Sequence, residues 1–294
     1  MSTIRKAAEK PVADEYRASK VKSTIAWTFA WIFALFQVVL ALFPFIFMLI
    51  NSFRKQFDML RQGVFHLPDP WYFNNYVEVV TNGFFGYFLR SVIVVAVSLL
   101  LLLAIAACAA YPLARMEFKL RALLYAGIVA CMSVPMHVTL IPVFKLTQSM
   151  NLYDKLWSLV GPYVTFALPM SVFILVAFMK TIPKELEEAA EIDGCNRFNN
   201  FTLLILPLAK SGLSTLAIYN GVSMWNEFAF ANTLIINPGN KTLPLALGQF
   251  KGEHSLDIPI MLAVLTLSAL PMIILFIIFQ DKLVKGMMAG AVKG

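Results

Sequence analysis

Two short stretches of this chain hold residue types that can do chemistry. The first is Trp225-Asn226-Glu227, set inside an apolar run with Asn220, Ser223 and Asn232 close by. Glu227 is the carboxylate lying well inside that run. An ionised group at that depth in hydrocarbon costs at least about 2.5–3.5 kcal/mol, so it must face a wet cavity or a partner. An acid, amides and an indole together suit hydrogen bonding to sugar hydroxyls and packing on apolar sugar faces. They suit contact with a neighbouring helix or subunit equally well. Helical spacing puts Asn220, Ser223 and Glu227 on one face and turns Trp225 elsewhere.

The second stretch, residues 188–207, reads EAAEIDGCNRFNNFTLLILP and lies between apolar runs. Thr181 is placed as an N-cap and Pro183 falls in the first turn. Glu185, Glu187 and Glu188 then sit at the positive end of a short helix, with Gly194 as its stop. Leu186, Ala189 and Ala190 form a small, smooth apolar stripe, and Phe198, Phe201, Leu204 and Ile205 make a second face ending at Pro207. Amphipathic helices that rest on lipid usually turn Lys and Arg outward. Here Glu185, Glu187, Glu188, Glu191 and Asp193 stand against Lys184 alone. A protein groove with positive or donor-rich walls is the better host, so this hairpin reads as a docking element.

Other chemistry is missing. The chain has no G-x-x-x-x-G-K-[ST] loop to cradle ATP phosphates, no H-E-x-x-H and no G-x-S-x-G elbow. No catalytic residue and no cofactor of its own is expected. Cys108, Cys131 and Cys195 lack metal-ligand spacing, so no metal site is expected either.

The elements that must position these residues are membrane helices. Of 294 residues, 59% are hydrophobic and 14% charged, far from the roughly 25% charged of a soluble domain. Apolar runs reach the ~20 residues that cross a bilayer as helix, and ten-residue strand alternation is absent. The reading is all-α and polytopic, with six spans: 25–50, 91–111, 122–144, 158–179, 213–236 and 258–280. Prolines at 44, 135, 142, 162, 169 and 271 can bend them. Residues 1–24 and 281–294 are tails, 85–280 form the core, and 181–212 form the loop bearing the hairpin. Sixteen of the 24 Lys and Arg fall on the side of both termini and the hairpin, which makes that side cytoplasmic by the positive-inside rule. The formal charge of +7 is thereby explained by topology, and no nucleic-acid partner is expected. Membrane lipid is the surrounding medium.

The order Glu188-Ala189-Ala190, three residues, Gly194, then the closure through Leu204, Leu206 and Pro207, resembles the EAA loop of binding-protein-dependent ABC importer permeases. Trp225-Asn226-Glu227-Phe228, the Pro271 helix and the tail through Lys285, Gly286, Gly290 and Lys293 look like the second permease of maltose-type carbohydrate importers. Together these features span residues from about 85 to 294.

The resemblance implies a permease of a bacterial or archaeal cytoplasmic membrane, forming half of a translocation path for a carbohydrate. It implies a second, similar permease, two ATPase subunits that hold ATP and Mg, and an extracytoplasmic solute-binding protein. Glu188, Ala189, Ala190, Asp193, Gly194, Phe198 and Pro207 would contact the ATPase, as would Lys285, Gly286, Gly290 and Lys293 in the tail. Asn220, Ser223, Trp225, Asn226, Glu227 and Asn232 would line the path. Gln249, Phe250, Lys251, Gly252 and Glu253 would meet the binding protein. A non-sugar solute is the alternative within the superfamily. An ion-coupled transporter would use intramembrane acids, unwound half-helices and often inverted repeats, and one buried carboxylate without a visible repeat argues against it.

Overall fold

The computed structural model describes the backbone of residues 2–248, 250 and 257–291, with side chains for 24, 26–248, 250 and 257–280. Every regular element among the described residues is helical. The chain divides into a unit of residues 1–72 and a larger one of residues 73–294.

In the first unit, helix α1 (Ser2–Asn51) contains the apolar span Ala26–Asn51. Its end is fixed by a buried cation. Arg54 is 2% exposed and folds α2 (Gln56–Gln62) back beside the end of α1. One guanidinium nitrogen donates to the Gly63 carbonyl at 2.6 Å and to Asn51 Oδ1 at 3.3 Å. The other donates to the Asp58 carbonyl at 3.1 Å and to Gln62 Oε1 at 3.2 Å. Carbonyls at a helix C-terminus lack intrahelical partners, and Arg54 supplies a donor to the Gly63 carbonyl at the end of α2 while offsetting its own burial.

The second unit begins with α3 (Asn74–Thr81). Then come α4 (Phe84–Arg115), α5 (Arg121–Ala130), α6 (Leu140–Ser149) and α7 (Val160–Met179). The hairpin follows as α8 (Glu185–Ile192), α9 (Arg197–Asn199), a π-helical stretch Asn200–Ile205 and α10 (Leu206–Leu208). The chain continues through α11 (Lys210–Trp225), α12 (Ala229–Leu234), α13 (Leu243–Ala246) and α14 (Ile258–Ala291).

Helix α4 is the spine and packs most extensively against α7. Ala106, Ala107, Ala110 and Ala114 face Val172, Leu175, Val176 and Met179 in one buried cluster. Small side chains of this kind let helix backbones approach closely where lipid provides no hydrophobic drive. At the far end of α4, Arg90 Nε donates to the Lys241 carbonyl at 2.7 Å. There the Asp154 carboxylate accepts from the Ile236 and Asn237 amides at 2.9 and 2.8 Å, pinning two loops together.

The expected spans are met as continuous helices at Ala26–Asn51, Phe84–Arg115, Leu156–Met179 and Ile258–Gln280. The third and fifth are not continuous. Residues 121–133 and 136–149 meet at 89°, where Pro135 lacks an amide donor and holds Val134 extended (φ −79°, ψ 115°). Pro169 and Pro271, by contrast, sit inside unbroken helices. The expected run 213–236 splits: α11 stops at Trp225 and α12 starts at Ala229. On its other side α11 meets residues 197–208 at 67°. Six spans result if each bent pair crosses once.

Candidate functional site

The break after Trp225 is built by Glu227 itself. Its Oε1 accepts from the Phe230 amide at 2.7 Å and its Oε2 from the Ala231 amide at 3.2 Å, so the carboxylate caps the restarted helix α12. The Tyr163 hydroxyl on α7 donates to Oε2 at 3.1 Å. Three donors thus hold one carboxylate, and all three belong to this chain. Glu227 also faces a cavity of about 300 Å³ together with Tyr163, Phe166, Asn220, Ser223 and Met136. The cavity opens where the third span bends, consistent with irregular backbone at membrane depth being tolerated where it lines a cavity.

The six residues of the expected polar belt do not stay together. Asn220 and Ser223 line this cavity as their helical spacing requires, and Glu227 joins them from just past the end of α11. Asn220 is 3% exposed and donates to Ser171 Oγ at 3.1 Å and to the Leu216 carbonyl at 2.9 Å, which ties α11 to α7. Trp225 is buried on another side, edge-on to Phe88 with centroids 5.7 Å apart. Asn226 is exposed and donates to the Val222 carbonyl, and Asn232 is exposed. These last three do not line the cavity: Trp225 is turned away by the helical phase of α11, and Asn226 and Asn232 lie past its end. Tyr163 and Tyr219 are polar cavity residues that sequence pattern alone missed. A tyrosine in an apolar run gives no hint of a partner 64 residues away.

At the other end of α4 the hairpin forms, with one change in its start. Thr181 is not the N-cap, since its hydroxyl donates back to the Phe178 carbonyl at 2.7 Å. The helix α8 starts at Glu185 after Lys184. Its end closes as a Schellman turn: the Gly194 amide donates to the Glu191 carbonyl at 3.0 Å and the Cys195 amide to the Ala190 carbonyl at 2.9 Å. Gly194 has φ +86°, and a Cβ there would meet no atom within 4 Å. Gly194→Ala is therefore expected to cost about 1–2 kcal/mol through backbone strain alone, read as a lowered melting temperature of the purified protein without loss of membrane insertion.

Glu188, Ala189, Asp193, Phe198 and Pro207 are exposed and Ala190 is half-buried. Leu186 and Ile192 are exposed too, Ile192 at 86%. The second face divides: Phe198 points out, whereas Phe201 packs on Tyr111 with centroids 5.0 Å apart and Ile205 is fully buried. The hairpin thus offers small, apolar and acidic groups on one side and anchors itself with the other.

Phe250 is buried and packs edge-on against Tyr87 at 6.4 Å, so its ring is held by its own chain rather than presented to a partner. Gln249, Lys251, Gly252, Glu253 and Lys293 lie outside the described residues. Lys285, Gly286 and Gly290 fall in the backbone of α14.

An all-helical bundle with four to six apolar helices is the architecture that comparison with known proteins recovers. The family described as binding-protein-dependent transport system inner membrane component matches residues 101–289. The chain belongs to that family. This permease is 47% identical over 94% of its length, and all of the relative's, to an ABC transporter permease protein of Caldicellulosiruptor sp. (strain Rt8B.4). It is 31% identical to the trehalose/maltose transport system permease protein MalG of Thermococcus litoralis, covering 89% of this chain and 95% of that one. Its fold is shared with a bacterial ABC transporter involved in the import of the acidic polysaccharide alginate. That match has a TM-score of 0.77 at 20% identity, over 90% of this chain and 97% of the other. The permease is a polytopic, all-helical transport subunit.

Proposed function

We propose that this permease forms one half of the translocation path of an ATP-driven importer for a carbohydrate, paired with a second, similar permease. Two ATPase subunits bind ATP and Mg on the cytoplasmic side, and a solute-binding protein delivers the sugar from the opposite side. Both termini and the hairpin are cytoplasmic in this reading, which the Lys and Arg distribution supports.

The observation that carries the proposal is the hairpin. Its short helix Glu185–Ile192 is closed by left-handed Gly194 and leaves Glu188, Ala189 and Ile192 uncovered at the end of the spine helix α4. An acidic rim around a low apolar centre fits a donor-rich cleft of an ATPase subunit, and movement of that subunit then moves the hairpin. The C-terminal tail residues Lys285, Gly286, Gly290 and Lys293 make a second contact with the ATPase, and Gln249, Lys251, Gly252 and Glu253 meet the binding protein. For the solute, the cavity at Tyr163, Asn220, Ser223 and Glu227 offers aromatic and polar groups. The likeness to a trehalose/maltose permease points to an oligosaccharide.

The test is uptake by proteoliposomes that contain both permeases and the ATPase, with ATP enclosed, the binding protein outside and a panel of labelled sugars. One sugar or a small related group is expected to accumulate against its gradient. Accumulation of an amino acid, peptide or oxyanion with no sugar uptake would reassign the solute.

A further inference from the structure

Within the acid-rich run of the hairpin, Glu187 is employed differently from its neighbours. Glu185 and Glu188 are exposed, whereas Glu187 turns inward to Arg115, the last residue of α4. Arg115 Nε lies 2.8 Å from Glu187 Oε1, with the two side chains 4% and 14% exposed. The Nε–H is not aimed at that oxygen, so the contact is an ion pair rather than a hydrogen bond. The directional bond comes from the same guanidinium's Nη2, which donates to the Ile182 carbonyl at 2.7 Å, between α7 and α8. One turn back on α4, the Tyr111 hydroxyl stands 3.5 Å from both Glu187 Oε2 and the Arg197 carbonyl. Its ring packs on Phe201 of the returning arm. Both arms of the hairpin are therefore gripped from the end of one helix.

A buried ion pair gains little stability over a well-packed apolar pair, because desolvation offsets the attraction. What it adds is direction. Apolar contacts slide past one another at little cost, whereas a guanidinium fixed at once to a carboxylate and a carbonyl resists both shear and rotation. We propose that the Arg115–Glu187 pair is the strut that makes the hairpin and α4 move as one body, so that displacement of the hairpin reaches the cavity. This rests on the reading of the hairpin as the ATPase docking element. From Arg115 the path runs along α4 to α7 through the alanine face, and α7 carries Tyr163 and Phe166 to the cavity wall. The pair is a positioning device and touches neither ATP nor solute.

The experiment uses the complete transporter in proteoliposomes and compares Arg115→Gln, Glu187→Gln and the double variant. It measures capture of the ATPase subunits and the ATP hydrolysed per solute imported. The outer acids remain in every variant, so capture is expected to be unchanged. The ATP spent per solute is expected to rise about ten-fold in each single variant, within the usual range of coupling energies. Because both residues serve one contact, the double variant is expected to be no worse than either single. An unchanged ratio with intact capture overturns the proposal, as does a double variant whose loss is the product of the singles. Parallel loss of capture and transport also overturns it, since the pair would then only shape the docking surface. Failure of the underlying reading is distinguishable, because the unmodified chain would then capture no ATPase.

Discussion

Ala189→Arg is expected to abolish solute-stimulated ATP hydrolysis and uptake while leaving the permease folded in the membrane. Ala189 is exposed on α8, and substitutions at open surface positions usually change stability by no more than about 0.5 kcal/mol. Arginine is compatible with helix and meets nearby carboxylates on its own hairpin. Its cost falls on the interface. The methyl of alanine permits close approach by another protein, whereas a guanidinium on a four-atom stem must be displaced or buried without a designed partner. Truncating or blocking a central contact of a desolvated interface costs upward of about 2 kcal/mol, and a docking element that must bear force cannot tolerate much loss. Membrane yield and melting temperature of the isolated permease should match the unmodified chain, while co-purified ATPase and uptake fall at least about thirty-fold by the same arithmetic. Ala190 is a weaker site for this test, since it is already half-buried within its own chain.

The second large effect is expected at Glu227. Replacing it with alanine leaves the Phe230 and Ala231 amides and the Tyr163 hydroxyl without their acceptor. Phe230 and Ala231 are 1% and 0% exposed, so water does not readily substitute at their amides. Each buried donor left unpaired costs about 1–3 kcal/mol, and the sum is a large part of a typical folding stability. The expected result is a permease that unfolds at markedly lower temperature and loses uptake. Glu227→Gln separates architecture from solute contact. It keeps one acceptor oxygen for the Phe230 amide and can donate to the Tyr163 hydroxyl, leaving the buried Ala231 amide unpaired, and should lower the melting temperature less than alanine does. Reduced solute affinity in that variant would mark the carboxylate as a cavity contact, and unchanged affinity would confine it to capping α12 and binding Tyr163.

The sequence made the chain's class and the presence of its short hairpin legible for simple reasons. Long apolar runs at 25–50, 91–111 and 258–280 have no competing reading, and Gly194 announces a left-handed turn that the backbone adopts. The phase of α11 also followed from helical spacing, which is why Asn220 and Ser223 share a cavity and Trp225 does not. The breaks were hidden because an apolar run looks the same whether straight or bent. Pro135 bends its span, yet Pro112, Pro169 and Pro271 lie within continuous helices. A proline therefore marks where a helix can give way, and the surrounding packing decides whether it does. The pairs Tyr163–Glu227 and Arg115–Glu187 were hidden for a different reason. Each joins residues far apart in sequence, and such contacts appear only once α4, α7 and α11 are packed. Phe250, which the resemblance placed at a partner contact, packs beside Tyr87, a contact that sequence alone gives no sign of.

The most direct test of the hairpin as the coupling element is photo-crosslinking from its tip in membranes that hold the complete transporter. Ile192 is 86% exposed, so replacing it with a benzophenone-bearing amino acid leaves the fold undisturbed while placing the probe on the docking side. On illumination the adduct is expected to contain the P-loop ATPase subunit, and its yield to change when ATP is added without hydrolysis. Adducts with lipid alone, with no ATPase in either nucleotide state, would contradict the account.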